Sequence, residues 1–293
     1  MENVPRFPLS RNALVAPDRP PSGFHLTCII VGLRPAAYRV SMKLARMPDG
    51  GPELFFTLQG EGRGAGRPSI FIRASLCNLH CRWCDTDYTW NWDDTTFSHE
   101  RDADPSYQKY RRSEQIIDLE IDAIATAAAR FPCRNFVFTG GEPLIQEAAW
   151  VRLMGALEDA GRERAWFEVE TNGTLLPGPA FLERIDQVNV SPKLANSGVP
   201  ETLRRKPEVL SALAASGKAD FKFVVGGGSD LAEVLELVSL SGIAADQVFL
   251  MPKALSAAEL EAAQSAVAAT ALAHGFRYSD RLHLRLYGAK RGV

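Results

Sequence analysis

The pattern of apolar and polar residues divides the chain from residue 51 onward into short apolar runs and longer amphipathic segments. Short apolar runs bounded by glycine, proline and polar residues are typical of strands. We predict strands within "SIFIRAS" (69–75), "NFVFTGGEP" (135–143), "AWFEVETNG" (165–173), "QVNVSPK" (187–193), "ADFKFVVGGG" (219–228), "QVFLMPK" (247–253) and "LHLRLYG" (282–288).

Amphipathic segments with helical spacing separate most of these runs. In 113–131 apolar residues recur every three or four positions and Ser113 is a suitable N-cap, so we predict one helix across this range. Further helices are predicted up to about Ala160 and near 201–215, 230–241 and 256–274. Strands that alternate with helices build a parallel sheet with the helices outside it.

Polar motifs follow the apolar runs at four places, as TGGEP, ETNG, SPK and MPK. In a parallel α/β barrel the active site lies at the carboxyl-terminal edge of the strands, where these motifs fall. About six repeats are visible, which is too few for an eight-fold barrel. The sequence therefore predicts an α/β fold, a partial, open βα barrel with about six strands.

Two segments lie outside this regular pattern. Residues 1–41 are rich in proline and polar residues and have no clear period. We expect a disordered N-terminal extension there, or a start assigned too early, and we expect the catalytic domain over 42–293. Residues 87–112 are aromatic, acidic and irregular, so we expect a family-variable insertion. A lid, a reductase dock or a dimer contact are the alternatives for it.

The composition excludes several classes of protein. The chain has 293 residues, of which 46% are hydrophobic, and a net charge of −2. This charge implies no large basic surface, so we expect no nucleic-acid partner and no membrane association. Three of the five cysteines are packed within eight positions, which is not the pattern of a secreted disulfide framework. Reduced thiols in a cytoplasmic protein fit better.

The loop "SLCNLHCRWCDT" (75–86) places Cys77, Cys81 and Cys84 in a CxxxCxxC pattern. A closed structural zinc site needs a fourth ligand, and the candidate His80 adjoins Cys81, which would compete for the same geometry. A cubane iron–sulfur cluster offers another solution, because three cysteines hold three irons and the fourth iron stays open. The loop therefore indicates a [4Fe-4S] cluster with room for a further ligand.

The same loop is similar to the CxxxCxxC motif of radical S-adenosylmethionine (SAM) enzymes. The resemblance implies that the open iron binds SAM and that an electron from the cluster yields a 5′-deoxyadenosyl radical, which takes hydrogen from the substrate. It also implies a set of SAM-binding residues, namely Trp83, Asp85, Gly140, Gly141, Glu142, Glu170, Ser191 and Lys193. Taken alone, GGEP, ETNG and SPK would also fit ordinary turns or loops.

A narrower resemblance rests on the order of five motifs, LQGEG, FIR, CDT, TGGEP and SPK. Over about 42–293 they resemble the 7-carboxy-7-deazaguanine synthase family of the queuosine and 7-deazapurine pathway. The resemblance implies ring contraction of 6-carboxy-5,6,7,8-tetrahydropterin to 7-carboxy-7-deazaguanine with release of ammonia. It also implies Mg²⁺ as a cofactor with Thr86 as a ligand. A local hydrogen bond is the alternative role for that hydroxyl.

A carboxylated pterin needs a cation for its acid group and hydrogen-bonding partners for its ring edge. The planar guanidinium of Arg73 suits a carboxylate, and Gln59 can both donate and accept. The resemblance implies the substrate-binding residues Leu58, Gln59, Gly60, Glu61, Arg73, Thr139, His283 and Val293. His283 could instead be a satisfied core group on its predicted strand. Val293 would act through a carboxylate at the chain end.

Two other functions stay open at the level of the sequence. A glycyl-radical activase would use the same cysteine loop, but it needs a large protein partner and leaves LQGEG, Arg73 and Thr86 unexplained. A non-enzymatic metal-binding module would hold zinc or a closed cluster and would not cleave SAM. The family resemblance further implies a homodimer and an electron donor such as flavodoxin or ferredoxin.

Overall fold

The structure is a computed structural model that describes residues 40–161 and 164–293 of the chain. Its centre is one mixed sheet of ten strands. The strands are β1 (Ser41–Ala45), β2 (Leu54–Leu58), β3 (Pro68–Ala74), β4 (Ile116–Glu120), β5 (Asn135–Gly140), β6 (Trp166–Thr171), β7 (Gln187–Val190), β8 (Ala219–Val225), β9 (Val248–Pro252) and β10 (Arg277–Tyr278). The helices are α1 (Arg112–Gln115), α2 (Ile121–Ala128), α3 (Glu147–Asp159), α4 (Pro179–Arg184), α5 (Glu201–Arg204), α6 (Pro207–Ala215), α7 (Gly228–Ser241), α8 (Ala257–His274) and α9 (Leu282–Tyr287).

The strands follow the order β10-β9-β8-β7-β6-β5-β3-β1-β4 across the sheet, and β2 also pairs with β3. Strand β3 and strands β5 to β10 are parallel neighbours in chain order. Helical crossovers produce this arrangement because parallel strands cannot be joined by a tight hairpin. Across the described ranges the sheet ends at β10 and β4, so the predicted open α/β barrel type is confirmed.

Strands β1, β2 and β4 add antiparallel pairs to the parallel part. Ser41 of β1 pairs with Glu120 of β4. Strand β1 therefore begins one residue before the predicted boundary of the catalytic domain. The predicted extension up to residue 39 lies outside the described residues.

The helix predicted over 113–131 is wrong in its first part. The range begins in α1, continues as strand β4 and becomes helical again only in α2, whose N-cap is Glu120 rather than Ser113. Ile117 and Leu119 of β4 pack against the core, and the residue that follows each of them is exposed. This alternation is that of a strand, and the pairing with β1 satisfies its backbone.

The strand predicted over 282–288 is also wrong, because this range forms α9. The amide of Leu282 donates to the carbonyl of Gly60 at 2.9 Å, which fixes the start of the helix beside the loop after β2. Leu284 is buried, whereas Leu286 is half exposed. The alternation of apolar and polar residues in LHLRLY is typical of a strand, but the segment forms a helix with one buried face.

The core lies between the sheet and the helices that connect its strands. Trp150 of α3 stacks on Phe138 of β5 with ring centroids 4.4 Å apart, and its indole N–H donates to the carbonyl of Pro143 at 2.9 Å. This packing fixes the carboxyl end of β5 and the turn that follows it. Within the described ranges, no helix combines the length and the apolar character needed to cross a membrane.

The segment predicted as an insertion, 87–112, is irregular, with residues 87–92 buried and most of 93–112 exposed. The fully buried carboxylate of Asp87 accepts hydrogen bonds from the hydroxyl of Tyr107, at 2.6 Å, and from Arg101. Trp90 and Trp92 are buried as well. The segment thus folds around Asp87 directly after the cysteine loop, and its functional role stays a prediction.

Candidate active site

A cavity of about 320 Å³ opens at the carboxyl ends of the parallel strands. The loops after β3, β5, β6 and β7 line it, together with parts of β2, α9 and residues 288–293. All predicted site residues except Glu142 line this cavity, namely Leu58, Gln59, Gly60, Glu61, Arg73, Cys77, Cys81, Trp83, Cys84, Asp85, Thr86, Thr139, Gly140, Gly141, Glu170, Ser191, Lys193, His283 and Val293. The fold therefore brings the predicted cluster, cofactor and substrate residues to one place.

The three cysteines of the loop after β3 lie together at the cavity. Cys81 is buried, Cys77 and Cys84 are half-buried, and all three pack with Leu79 and Val199. Burial raises the pKa of each thiol above its usual value, to about 12 for Cys81. Such thiols lose their protons to a strongly bound metal, which takes the thiolate as its ligand.

The donor set fits an iron–sulfur cluster better than a single zinc ion. Among the described residues, no group of three or more His, Cys, Asp or Glu side chains is placed to hold one metal ion. His80, the candidate fourth zinc ligand, stacks on Phe97 with ring centroids 3.4 Å apart and is not part of the cavity lining in the described structure. A cubane instead distributes its thiolates over different irons. Three cysteines that line one cavity can provide this arrangement.

Gly140 and Gly141, at the end of β5, pack directly on the backbone that leads into the cysteine loop. Gly140 has a φ of +123°, and a Cβ atom there would lie 2.0 Å from the carbonyl oxygen of Ala74. A Cβ atom on Gly141 would lie 2.0 Å from the carbonyl oxygen of Leu76 and 3.1 Å from the Cβ of Cys77. Only glycine fits at these two positions. They therefore set how closely the cysteine loop approaches the end of β5.

The side chain of Glu142 supports the turn after β5. Its carboxylate is fully buried and accepts from the Thr171 hydroxyl at 2.8 Å, the Asn172 amide at 2.8 Å and the Leu144 amide at 3.0 Å. Burial raises the pKa of Glu142 above its usual value. The carboxylate ties the end of β5 to the end of β6 and so supports the turn, and its contact with SAM stays a prediction.

The segment after β7 contacts the cysteine loop through polar groups. Lys193 donates to the hydroxyl of Ser191 at 3.0 Å, and its ammonium lies 5.5 Å from the ring centre of Trp83. The indole N–H of Trp83 donates to the carbonyl of Asn196 at 2.9 Å. Lys193 thus brings a positive charge to the part of the cavity that holds the cysteines, where it can attract an anionic group of a ligand.

A buried network of charges forms another part of the cavity lining. Glu61 accepts from Nζ of Lys222 at 2.5 Å and from Nε of Arg281 at 3.0 Å. Lys222 also donates to Glu170 at 2.9 Å, and Arg281 also donates to Asp85. Burial alone would raise the pKa of Glu61, but Lys222 and Arg281 hold it well below its usual value. The network therefore joins three carboxylates to two cations.

Three buried polar residues were missed by the sequence analysis, namely Lys222, which lines the cavity, and Glu168 and Asn189, which support the cavity residues Gln59 and Glu170 through hydrogen bonds and do not line the cavity in the described structure. Each of the three is buried and stands within an apolar strand, in "DFKF", "FEVE" and "VNV". A polar side chain inside a buried strand costs free energy unless other polar groups face it. This interruption of the apolar runs is the signal that points to a polar interior at the open end of the barrel.

Gln59 is held at the cavity by hydrogen bonds to both ends of its amide. Its Nε2 donates to Glu168 and, at 3.2 Å, to Glu170, and its Oε1 accepts from the amide of Glu61 at 3.3 Å. Asn189 donates to Glu168 at 2.6 Å and to Glu170 at 2.9 Å. These bonds fix the orientation of Gln59, whose contact with the substrate stays a prediction.

The stability of the protein is expected to depend on pH through Glu168. Burial, reinforced by the negative charge of Glu170, raises the pKa of Glu168 from 4.5 to about 7. The folded protein therefore keeps this proton more tightly than the unfolded chain does, and the stability that the proton provides is complete below pH 4.5 and is lost as the pH rises to about 7.

Glu168→Gln should remove this loss. In denaturant unfolding we expect the variant to match the wild type near pH 4 and to exceed it at pH 8 by on the order of 2 to 3 kcal/mol. The same substitution at the exposed Glu183 is the control. Equal curves for wild type and Glu168→Gln at pH 8 would contradict the shifted pKa.

Arg73 of β3 and Thr139 of β5 are register partners, and both line the cavity. Nε of Arg73 donates to the buried carboxylate of Glu53 at 2.7 Å. Burial alone would lower the pKa of Arg73, but Tyr88 and Glu53 raise it above its usual value. Arg73 is therefore a permanently charged cation at the cavity.

The remaining predicted residues also line the cavity. The hydroxyl of Thr86 lies 3.5 Å from Sγ of Cys84, so it makes a local contact, and magnesium binding stays a prediction. His283 packs so closely on Gly60 that a Cβ atom there would lie 2.4 Å from its Nδ1. Burial lowers the pKa of His283, which favours the neutral imidazole. Val293 lines the cavity with the other residues of 288–293.

Comparison with known proteins places these features in a family. Residues 72–241 match the model of the radical SAM superfamily. The chain is 36% identical over 241 residues to the 7-carboxy-7-deazaguanine synthase of Pyrobaculum aerophilum, which covers 82% of this chain and 95% of the relative. It is 36% identical over 256 residues to the synthase of Halobacterium salinarum, which covers 80% of this chain and 89% of the relative.

A solved structure agrees with these relatives. The crystal structure of QueE from Escherichia coli superimposes with a TM-score of 0.57 and 25% identity, covering 83% of this chain and 95% of that chain. The fold, the cysteine loop and the relatives thus lead to the same assignment. The chain belongs to the radical SAM superfamily and, within it, to the 7-carboxy-7-deazaguanine synthase family.

Proposed function

We propose that this protein converts 6-carboxy-5,6,7,8-tetrahydropterin into 7-carboxy-7-deazaguanine with release of ammonia, a step of queuosine and 7-deazapurine biosynthesis. The observation that carries the proposal is one cavity lined by both the three cysteines and the cation Arg73. Four relatives named as synthases align with about four-fifths of the chain, at 82% in two cases. An activase or a metal-binding module would leave Arg73 and the charged network at this cavity without a role.

The cofactors of this reaction are a [4Fe-4S] cluster and SAM. Cys77, Cys81 and Cys84 hold the cluster, because they are the thiols that line the cavity. When bound, the cluster and SAM would supply the radical chemistry of the reaction, including the electron that reductive cleavage of SAM requires. The SAM site is formed by Glu142 and by seven residues that line the cavity, namely Trp83, Asp85, Gly140, Gly141, Glu170, Ser191 and Lys193.

The pterin occupies the part of the cavity next to Arg73. The guanidinium binds the carboxylate of the substrate, since a planar cation with paired donors matches it. The ring is recognised by the residues that line the cavity beside it, namely Leu58, Gln59, Gly60, Glu61, Thr139, His283 and Val293. Thr86 would provide one oxygen ligand for Mg²⁺, a cation that prefers oxygen donors.

The reaction requires a pterin substrate and a reductant that delivers an electron from outside the chain. A flavodoxin or a ferredoxin is the proposed donor. We further propose a homodimer, as in the family that the sequence resembles, and a cytoplasmic location, where reduced thiols are stable.

The test is turnover by the reconstituted enzyme. The protein is loaded anaerobically with iron and sulfide and then given SAM, Mg²⁺, a chemical reductant and 6-carboxytetrahydropterin, with no other protein present. We expect 7-carboxy-7-deazaguanine and ammonia in equal amounts by mass spectrometry and ammonia assay. If 5′-deoxyadenosine accumulates without the deazaguanine, the radical chemistry stands and the proposed substrate is wrong.

A further inference from the structure

Glu53, which directly precedes β2, is a buried anion that joins three separate segments of the chain. Its side chain is fully buried. Its carboxylate accepts from Nε of Arg73 in β3 at 2.7 Å, from the hydroxyl of Tyr88 at 3.0 Å and from Nε of Arg291 at 2.7 Å. Glu53 also lines the cavity.

The bond to Glu53 determines how Arg73 can meet a ligand. Within the described ranges, Nε is the atom of the Arg73 side chain that has a hydrogen-bond partner. The two terminal nitrogens are therefore left for the cavity that Arg73 lines. A guanidinium fixed at Nε presents its terminal donors in one direction, which favours a carboxylate that accepts both of them.

The bond to Arg291 fixes the segment 288–293, another part of the cavity lining. The guanidinium of Arg291 stacks on the ring of Tyr88, 3.6 Å from its centre. Its Nη1 donates to Gln115 at 3.1 Å, and its Nη2 donates to the carbonyl of Arg46. Every nitrogen of this side chain is therefore used for anchoring, so Arg291 holds the segment in place and leaves ligand binding to Arg73.

The charges around Glu53 favour an anionic ligand. One carboxylate is shared by two guanidiniums, which leaves one positive charge in excess in a buried place. Asp85, another carboxylate that acts on Arg73, shares the guanidinium of Arg281 with Glu61 and makes no hydrogen bond to Arg73 in the described structure. An unbalanced buried charge is costly, and a carboxylate on the substrate would balance it.

We infer that Glu53 is a positioning residue for recognition of the substrate's carboxylate. It aims the terminal nitrogens of Arg73 into the cavity and, through Arg291, seats the segment 288–293 beside them. The inference rests on the proposed function, because it takes the substrate to be a carboxylated pterin. Glu53 thereby makes the cavity bind this pterin in preference to tetrahydropterin, which has no carboxylate.

The test is Glu53→Gln in the reconstituted enzyme. We expect KM for 6-carboxytetrahydropterin to rise about tenfold or more, because a charged hydrogen bond is worth more than 1.4 kcal/mol, while kcat changes far less. The inhibition constant of tetrahydropterin, which has no carboxylate, should stay within about twofold of the wild-type value.

Asp186→Asn is the matched control, because Asp186 is also a largely buried carboxylate paired with an arginine, Arg164, and it does not line the cavity in the described structure. It should leave both constants unchanged. If Glu53→Gln fails to fold, Glu53→Asp keeps the charge on a shorter side chain and should raise KM in the same direction.

Three outcomes would count against the inference. Equal KM values for wild type and Glu53→Gln would overturn it, and so would a fall in kcat at constant KM. A parallel loss of affinity for both pterins would show general loosening of the cavity instead of positioning. Absence of turnover by the unaltered enzyme would overturn the proposed function itself, which separates the two failures.

Discussion

Cys81→Ala should leave a folded protein that holds no iron–sulfur cluster and does not cleave SAM. Cys81 is the buried member of the three cysteines at the cavity, and its thiol has no polar role in the described fold that alanine would leave unfilled. Substitution of residues that hydrogen-bond to metal ligands typically lowers activity by about 10- to 100-fold. Loss of a ligand itself should therefore lower turnover by at least about 100-fold.

The measurements are bound iron and sulfide, the visible absorbance of the cluster, and 5′-deoxyadenosine formed per minute. Cys133→Ala is the matched control, because Cys133 is a half-buried free thiol whose Sγ donates to the carbonyl of Pro68, and it does not line the cavity in the described structure. The control should bind iron and turn over like the wild type. An intact cluster in Cys81→Ala would contradict the assignment of the three ligands.

The position of the site could be predicted from the sequence because polar motifs with potential ligands follow the apolar runs. Parallel strands bring their carboxyl ends to one edge, so residues as distant as Cys77, Gly141 and Ser191 had to meet there. Glu142 shows the limit of this reasoning. Its motif lies at the cavity, but the carboxylate bonds to the end of β6, and only three-dimensional packing decides where one side chain in a turn points.

Two elements could not be predicted because the decisive partners are distant in sequence. The stretch at Ile117 has apolar positions that suit a helix or a strand, and pairing with β1 selects the strand. The stretch at Leu284 alternates like a strand, but its first amide bonds to Gly60, far away along the chain, and the sheet already ends at β10. Local pattern is a weak guide where tertiary hydrogen bonds choose between two allowed structures.

The polar interior of the barrel was missed for a related reason. Lys222 lies in the middle of "ADFKFVV", which has the composition of a buried strand. Burial alone would lower the pKa of this lysine, but Glu170 and Glu61 raise it above its usual value, so it stays charged inside the protein. The sequence contains the lysine and both carboxylates, but their proximity arises only when β2, β6 and β8 are brought together.

Lys222→Met should therefore be strongly destabilising. The side chain of Lys222 is 5% exposed, and its ammonium bonds to Glu61 and Glu170. In the described structure Glu170 has no other cation among its hydrogen-bond partners. Removing one partner of a largely buried ion pair leaves a poorly solvated charge, and we expect a loss of about 3 to 5 kcal/mol in the free energy of unfolding. Urea unfolding followed by circular dichroism at pH 7.5 measures this change.

The double variant Lys222→Met with Glu170→Gln separates the missing charge from the missing contacts. The second substitution removes the charge of Glu170, which Lys222→Met leaves without a cation. If that charge causes the instability, the double variant should be more stable than Lys222→Met alone. If lost packing causes it, the double variant should be equally stable or less stable. Lys253→Met is the control, because Lys253 lines the same cavity and pairs with Glu100 at 2.9 Å but is 29% exposed. An exposed ion pair contributes about 0 to 1 kcal/mol to stability, so Lys253→Met should lower the free energy of unfolding by no more than that. An equally small loss for Lys222→Met would show that charge pairing does not stabilise the buried network.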